Sequence, residues 1–181
     1  MERLKLKNGY EVKRIYITET NKVKDLCLKC SDYYILSGGE LPEEDDAKEI
    51  FTELPPNKGS KDKFVLGIFN NINELIGIID IVRNFPIEST WIIGLMLIEP
   101  KERGNGLGSE IHKELVNWLG NLGARVLRIG VIEENHKGIE FWTSLGYKKV
   151  NEIEMQFNLK KHIVCSMELN INENKVQNWR E

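Results

Sequence analysis

The chain has 181 residues, long enough for one hydrophobic core, and its 25 Lys and Arg against 28 Asp and Glu leave a net charge of −3. That balance argues against a general nucleic-acid binder, which needs a basic face, and no stretch approaches the ~20 apolar residues of a membrane span. Met1 to Tyr10 is mostly charged and polar, unlike a signal peptide. Three cysteines, an odd number, fit free thiols in a reducing compartment, and the cytoplasm is the expected location.

The pattern predicts a single domain over residues 1–170 with a polar tail over 171–181, in which Trp179 has no assigned role. Tyr10 to Ile17 alternates and reads as a first strand. Thr20 and Asn21 open a helix running to about Leu36, with Val23, Leu26, Cys27, Cys30 and Tyr34 on one face, and Gly38-Gly39 stops it. The Cys27-Leu28-Lys29-Cys30 spacing inside that helix lacks a second pair, so it reads as structural. A second helix spans about Glu43 to Leu54, between Pro42 and Pro55-Pro56; its acidic start suits the positive end of the helix dipole.

Phe64 to Phe69 and Glu74 to Val82 read as strands joined by a hairpin loop of asparagines. Trp91 to Ile98 is an apolar run broken only by Gly94, which predicts a strand buried on both faces. Next come Arg103-Gly104-Asn105-Gly106-Leu107-Gly108-Ser109, then apolar residues at Leu107, Ile111, Leu115, Trp118 and Leu122, one face of a helix. Arg125 to Val131 is a strand, His136 to Leu145 a short helix, and Tyr147 to Leu159 with His162 to Leu169 a closing antiparallel pair. His112 and His136 read as exposed or capping residues.

A strand, a glycine-rich loop and a helix in succession point unpaired N–H groups and a positive helix end at one place, which favours an anion. A dinucleotide fingerprint would need a glycine where Ser109 stands and an acid at the end of the next strand, near Gly130-Val131. A Walker loop would need Gly-Lys-Ser/Thr, and kinase-type loops come with further motifs; neither is present. A tight turn without a ligand is the plain alternative.

The loop resembles the acetyl-CoA signature of the GCN5-related N-acetyltransferases (GNAT): Arg103, two residues, Gly106, Leu107, Gly108. Asn135-His136-Lys137-Gly138-Ile139-Glu140-Phe141-Trp142, followed by Gly146-Tyr147, is similar to that family's second motif. The resemblance covers about residues 64 to 169. It implies an α/β (α+β) GNAT fold: a mixed, mostly antiparallel sheet of six to seven strands with about four helices, splayed at the central parallel pair.

The resemblance also implies roles. Gly104, Asn105, Gly106, Leu107, Gly108 and Ser109 would hold the pyrophosphate of acetyl-CoA through main-chain N–H groups, with Arg103 near a phosphate or solvating the turn. Met96 and Ile98 would offer main-chain groups to the pantetheine arm, Asn135 would bond the arm near the sulfur, and Trp142 would pack against it. Trp142 stands where many relatives have a tyrosine that serves as acid, and an indole cannot do that work. Gly130 stands where some relatives carry a glutamate base. Glu133 and Asp80 remain as candidate bases, and Tyr33, Tyr34 and Trp91 as candidate acceptor-site residues.

The implied activity is acetyl transfer from acetyl-CoA to a primary amine, of a small molecule or a protein, without a covalent acyl-enzyme and without a metal. The alternative is a CoA-binding module of the same fold without turnover. The expected partners are acetyl-CoA and an amine, with no nucleic acid and no membrane; the sequence leaves a homodimer open.

Overall fold

The computed structural model describes residues 3–171. β1 (Leu4–Lys5) and β2 (Glu11–Arg14) form a short hairpin, followed by α1 (Thr20–Lys29), α2 (Ser31–Ser37) and α3 (Asp46–Thr52). β3 (Lys63–Phe69), β4 (Leu75–Val82) and β5 (Thr90–Ile98) run antiparallel. α4 (Leu107–Asn121) then crosses to β6 (Val126–Ile132), the parallel neighbour of β5. α5 (His136–Ser144) leads to the hairpin of β7 (Lys148–Phe157) and β8 (Lys160–Asn170). The sheet order is β1-β2-β3-β4-β5-β6-β8-β7.

Eight strands and five α-helices therefore stand where six to seven and about four were expected. The additional strand is the two-residue β1. The additional helix arises because the long predicted helix breaks at Cys30, whose φ of −97° and ψ of 26° turn the chain between α1 and α2. Trp179 lies outside the described residues. No helix among the described residues is long and apolar enough to cross a membrane.

Each face of the sheet is covered by its own helices. Val23, Leu26, Cys27, Cys30, Ala47 and Ile50 from α1 and α3 and the turn between α1 and α2 pack on Val65, Phe69, Leu75, Ile78 and Leu97. On the opposite face, Leu107, Ile111, Leu115 and Leu119 of α4 and Trp142 of α5 pack on Leu66, Ile79, Ile81, Ile93, Leu127 and Ile129. Each aliphatic side chain so buried contributes on the order of 1.5–3 kcal/mol, which fixes which face every strand residue takes. The buried stripe of α4 steps by four throughout, so Leu119 is in the core and Leu122 is exposed at the end of the helix. The spacing alone had suggested Trp118 and Leu122.

The centre of the sheet is forked. β5 and β6 pair from Thr90–Val126 to Ile93–Ile129, and there the ladder stops. Beyond that point β5 continues on β4 as far as Gly77–Ile98, while β6 continues on β8 as far as Ile132–Val164. The first residue past the split on each strand is a glycine, Gly94 or Gly130. Gly94 is also the unmatched residue of a bulge, because Asp80 pairs with Leu95 and Ile81 with Ile93. A bulge bends its strand and adds local twist, which turns β5 away from β6. Gly94 to Met96 and Ile98 are accordingly half-buried or exposed, so the strand is fully buried only at Thr90, Trp91, Ile93 and Leu97.

Candidate functional site

The open side of β5 carries unpaired main chain. Glu99 N–H donates to Ile76 O in β4 at 2.8 Å. Main-chain groups alternate sides along a strand, so those of Ile98 and Met96 face the other way, into the fork. Ile98 O is already engaged there, accepting from Arg103 Nε at 2.6 Å.

The glycine-rich loop lies at the end of this strand. Gly104 and Gly106 have φ of 80° and 87°, a region that side chains with a Cβ rarely adopt. Gly106 is the residue before α4, and its carbonyl receives Glu110 N–H at 3.0 Å. Asn105 Oδ1 accepts from the N–H of Leu107, the first residue of α4, at 3.2 Å. The next first-turn N–H groups, at Gly108 and Ser109, have no intrahelical acceptor by helix geometry. Open space surrounds Gly104 and Gly106, whereas a Cβ on Gly108 would sit 3.2 Å from the Phe141 ring. The third glycine is therefore a packing residue that lets α4 approach α5.

Arg103 is engaged by the chain's own groups at the surface. Its guanidinium pairs with both Asp32 oxygens, at 2.5 and 3.2 Å, and holds that carboxyl below the usual carboxylate range. It also lies close enough to Cys30 to oppose the burial that pushes that thiol up to about 11. Arg103, expected near a phosphate or solvating the turn, ties the loop to the start of α2.

On the other arm of the fork, Asn135 Oδ1 accepts from Gly138 N–H at 3.0 Å and caps α5. Phe141 packs on the core edge. Trp142 is buried, with its ring 5.0 Å from Phe141, 5.1 Å from Tyr147 and 5.8 Å from His112. His112 is buried as well, and its Nε2 lies 3.1 Å from the Tyr147 hydroxyl. It is neither exposed nor a cap: it follows Ile111 on the inner side of α4, and burial pushes its imidazole down to about 4. Burial raises the Tyr147 hydroxyl, and Tyr34 OH donates to Cys27 Sγ at 3.1 Å and is raised too.

The structure separates the two candidate bases. Asp80 lies on the face covered by α1–α3, two residues from the buried Ile78. Its Oδ2 accepts from Lys63 Nζ at 2.8 Å, and Oδ1 is buried without a partner among the described residues. Burial raises its carboxyl, against the opposing charge of Lys63. Glu133 lines a cavity of about 500 Å³ together with Glu134, His136, Ile139, Lys149, Cys165 and Met167, and Met167 and Cys165 belong to the core on the α4–α5 side. Glu133, Glu152 and Cys165 bring potential ligand atoms within 4.8 Å of one another, and Lys149, bonded to Glu152 and Cys165, supplies a positive charge there.

Tyr33 and Tyr34 meet edge to face at 5.7 Å on the α1–α3 face, packed on the cluster that includes Leu95 and Leu97. Trp91 is not brought to them. Its indole is buried on the opposite face, stacked 5.6 Å from the Phe64 ring.

Sequence reasoning missed three groups around the fork. Lys63 is a buried lysine at the start of β3, diagonal to Asp80 across a register of Val65–Asp80. A lysine opening an otherwise apolar strand was the available signal. His162, also buried, places Nε2 2.9 Å from Ser37 O and Nδ1 3.2 Å from Glu134 Oε2. Lys160 Nζ donates to Ile35 O at 2.8 Å, so the β7–β8 hairpin holds the end of α2. The Lys160–Ile35 and His162–Ser37 contacts each span 125 residues and carry no local signature.

The family model described as the acetyltransferase (GNAT) family matches residues 30–147. No curated protein matches the sequence. Among solved structures, the chain resembles the ribosomal-protein alpha-N-acetyltransferase RimL in complex with coenzyme A, at TM-score 0.76 and 15% identity over 94% of this chain and 98% of that one. An acetyltransferase from Thermus thermophilus matches at TM-score 0.72 and 18% identity, covering 90% and 97%. Spermidine N-acetyltransferase from Vibrio cholerae, in complex with CoA and spermine, matches at 0.70 and 13%, covering 93% and 98%. At these identities the structural likenesses establish the fold.

Proposed function

The chain belongs to the acetyltransferase (GNAT) family, and from that premise we propose that it moves the acetyl group of acetyl-CoA to a primary amine by direct attack. One observation carries the reading: a fork in the sheet, opened at Gly94 and Gly130, lies beside a glycine-rich helix start. Gly104 to Ser109 would take the pyrophosphate on main-chain N–H groups. Met96 and Ile98 would pair with the amides of the pantetheine arm as a neighbouring strand would. A main-chain N–H in the fork would also stabilise negative charge developing on the thioester oxygen, an effect typically worth about 3 kcal/mol. The Asn135 amide nitrogen is the part of that side chain left for the arm once its oxygen caps α5.

Tyr33 and Tyr34 stand on the acceptor side. The amine would come from a small molecule or a protein, as it does in the spermine and ribosomal-protein enzymes that share the fold. The leaving sulfur takes its proton from the attacking nitrogen through water. Trp142 supplies no acid, and the Tyr147 hydroxyl is enclosed against His112.

The burial of Trp142 favours a second reading, a CoA-binding module without turnover. Thiol release from acetyl-CoA over a panel of amines separates the two. Release with at least one amine is expected. CoA binding by calorimetry with no release from any of them would establish the second reading instead.

A further inference from the structure

The carboxylate of Asp80 lies tightly against the space that a side chain on residue 94 would take. A Cβ built on Gly94 lies 3.1 Å from Asp80 Oδ2 and 3.8 Å from its carboxyl carbon. This contact crosses from β4 to β5 at the bulge where β5 parts from β6. It is made on the α1–α3 face, the side that carries Tyr33 and Tyr34.

The environment holds the group in place. Lys63 Nζ, only 4% exposed at its side chain, reaches Asp80 Oδ2 at 2.8 Å and Glu53 O at 2.7 Å. The charge of Glu53 acts from the end of α3 in the opposite sense. Asp80 Oδ1 has no partner among the described residues. A buried carboxylate oxygen without a donor costs about 1–3 kcal/mol or more. Such a cost persists where a ligand supplies the donor. An ammonium has three donors and the matching charge. Glu133, the other candidate, faces the α5 side with Cys165 and Met167 and is separated from this point by the sheet.

We propose that Asp80 is the catalytic base of the transfer, reaching across the sheet into the place left by Gly94, with Lys63 as its positioning residue. The inference rests on the transferase reading. Asp80 takes one proton from the acceptor ammonium, and the freed lone pair forms the bond to the thioester carbon. The carbon–sulfur bond then breaks, its electron pair leaves with sulfur, and the second nitrogen proton passes to the thiolate through water. The products are an amide and a thiol, and Asp80 releases its proton to solvent. A Cβ at position 94 would press on the carboxylate and oblige it to give by a few tenths of an ångström, which ties the glycine to the aspartate.

The test compares acceptors of different basicity. Thiol release is measured for the wild type, Asp80→Asn and the charge-free pair Lys63→Met with Asp80→Asn, using an aliphatic amine that turns over and an alkoxyamine, which is already neutral at pH 7. CoA affinity by calorimetry reports the fold of each variant. The expected result is a 100-fold or greater loss of kcat with the aliphatic amine, a loss below tenfold with the alkoxyamine and unchanged CoA affinity. Equal losses with both acceptors, or wild-type rates in a folded variant, would overturn the assignment of Asp80 and leave the transferase reading standing. If Asp80→Asn alone does not fold, the charge-free pair decides by the same comparison. A wild type inert with every amine would remove the transferase reading and the assignment of Asp80 with it.

Discussion

Arg103 and Asp32, 71 residues apart, are joined through two nitrogen–oxygen contacts, while Arg103 Nε holds Ile98 O at the open edge of β5. One side chain thus connects the glycine-rich loop, the fork and the first turn of α2. The pair is half exposed, so its worth lies in position more than in stability. Asp32→Ala should leave the melting temperature nearly unchanged and raise KM for the amine by roughly three- to tenfold, a coupling of about 1 kcal/mol. Arg103→Lys should behave alike, because an ammonium cannot reproduce a planar two-point contact. Steady-state kinetics of both variants with each substrate varied in turn would check this.

Ser109 is exposed in the first turn of α4. An acid there suits the positive end of the helix and should not lower stability. The same charge would repel a diphosphate held on the adjoining N–H groups. Ser109→Glu is therefore expected to keep or slightly raise the melting temperature while weakening CoA binding by roughly tenfold or more, measured by calorimetry.

His112 gives the fold a defined acid limit. Its folded value, about 4, lies below the usual 6.5 because burial disfavours the imidazolium. The unfolded chain then binds more protons between those values, so stability falls as pH drops from about 6.5 to about 4. The depression corresponds to about 3 kcal/mol. Thermal melts of wild type and His112→Gln over this range should converge as the pH falls, the wild type losing more.

The Trp142 ring is enclosed by Phe141, Tyr147 and His112. Trp142→Tyr should not raise kcat. It should cost on the order of 1–2 kcal/mol through the cavity left by the smaller ring. Chemical denaturation alongside the thiol-release assay would register both effects.

The amino-acid sequence by itself determined the features that depend on neighbours in the chain. Glycine spacing placed the loop before α4, alternation and asparagine turns placed the β3–β4 hairpin, and the paired motifs indicated the family. Gly94 was visible as an interruption of an apolar run, because a missing side chain in a buried strand is a local signal. What faces Gly94 was not visible. The bulge shifts the register so that Asp80 pairs with Leu95, and one residue of slip sends each side chain to the other face. Tertiary structure alone decided that Asp80 looks onto the fork on one side of the sheet while Glu133 looks away on the other. It also turned Trp91, Trp142 and His112 inward and set Arg103 on Asp32. Periodicity reports that a residue has a preferred face; which elements close over that face is set by packing between segments far apart in the chain.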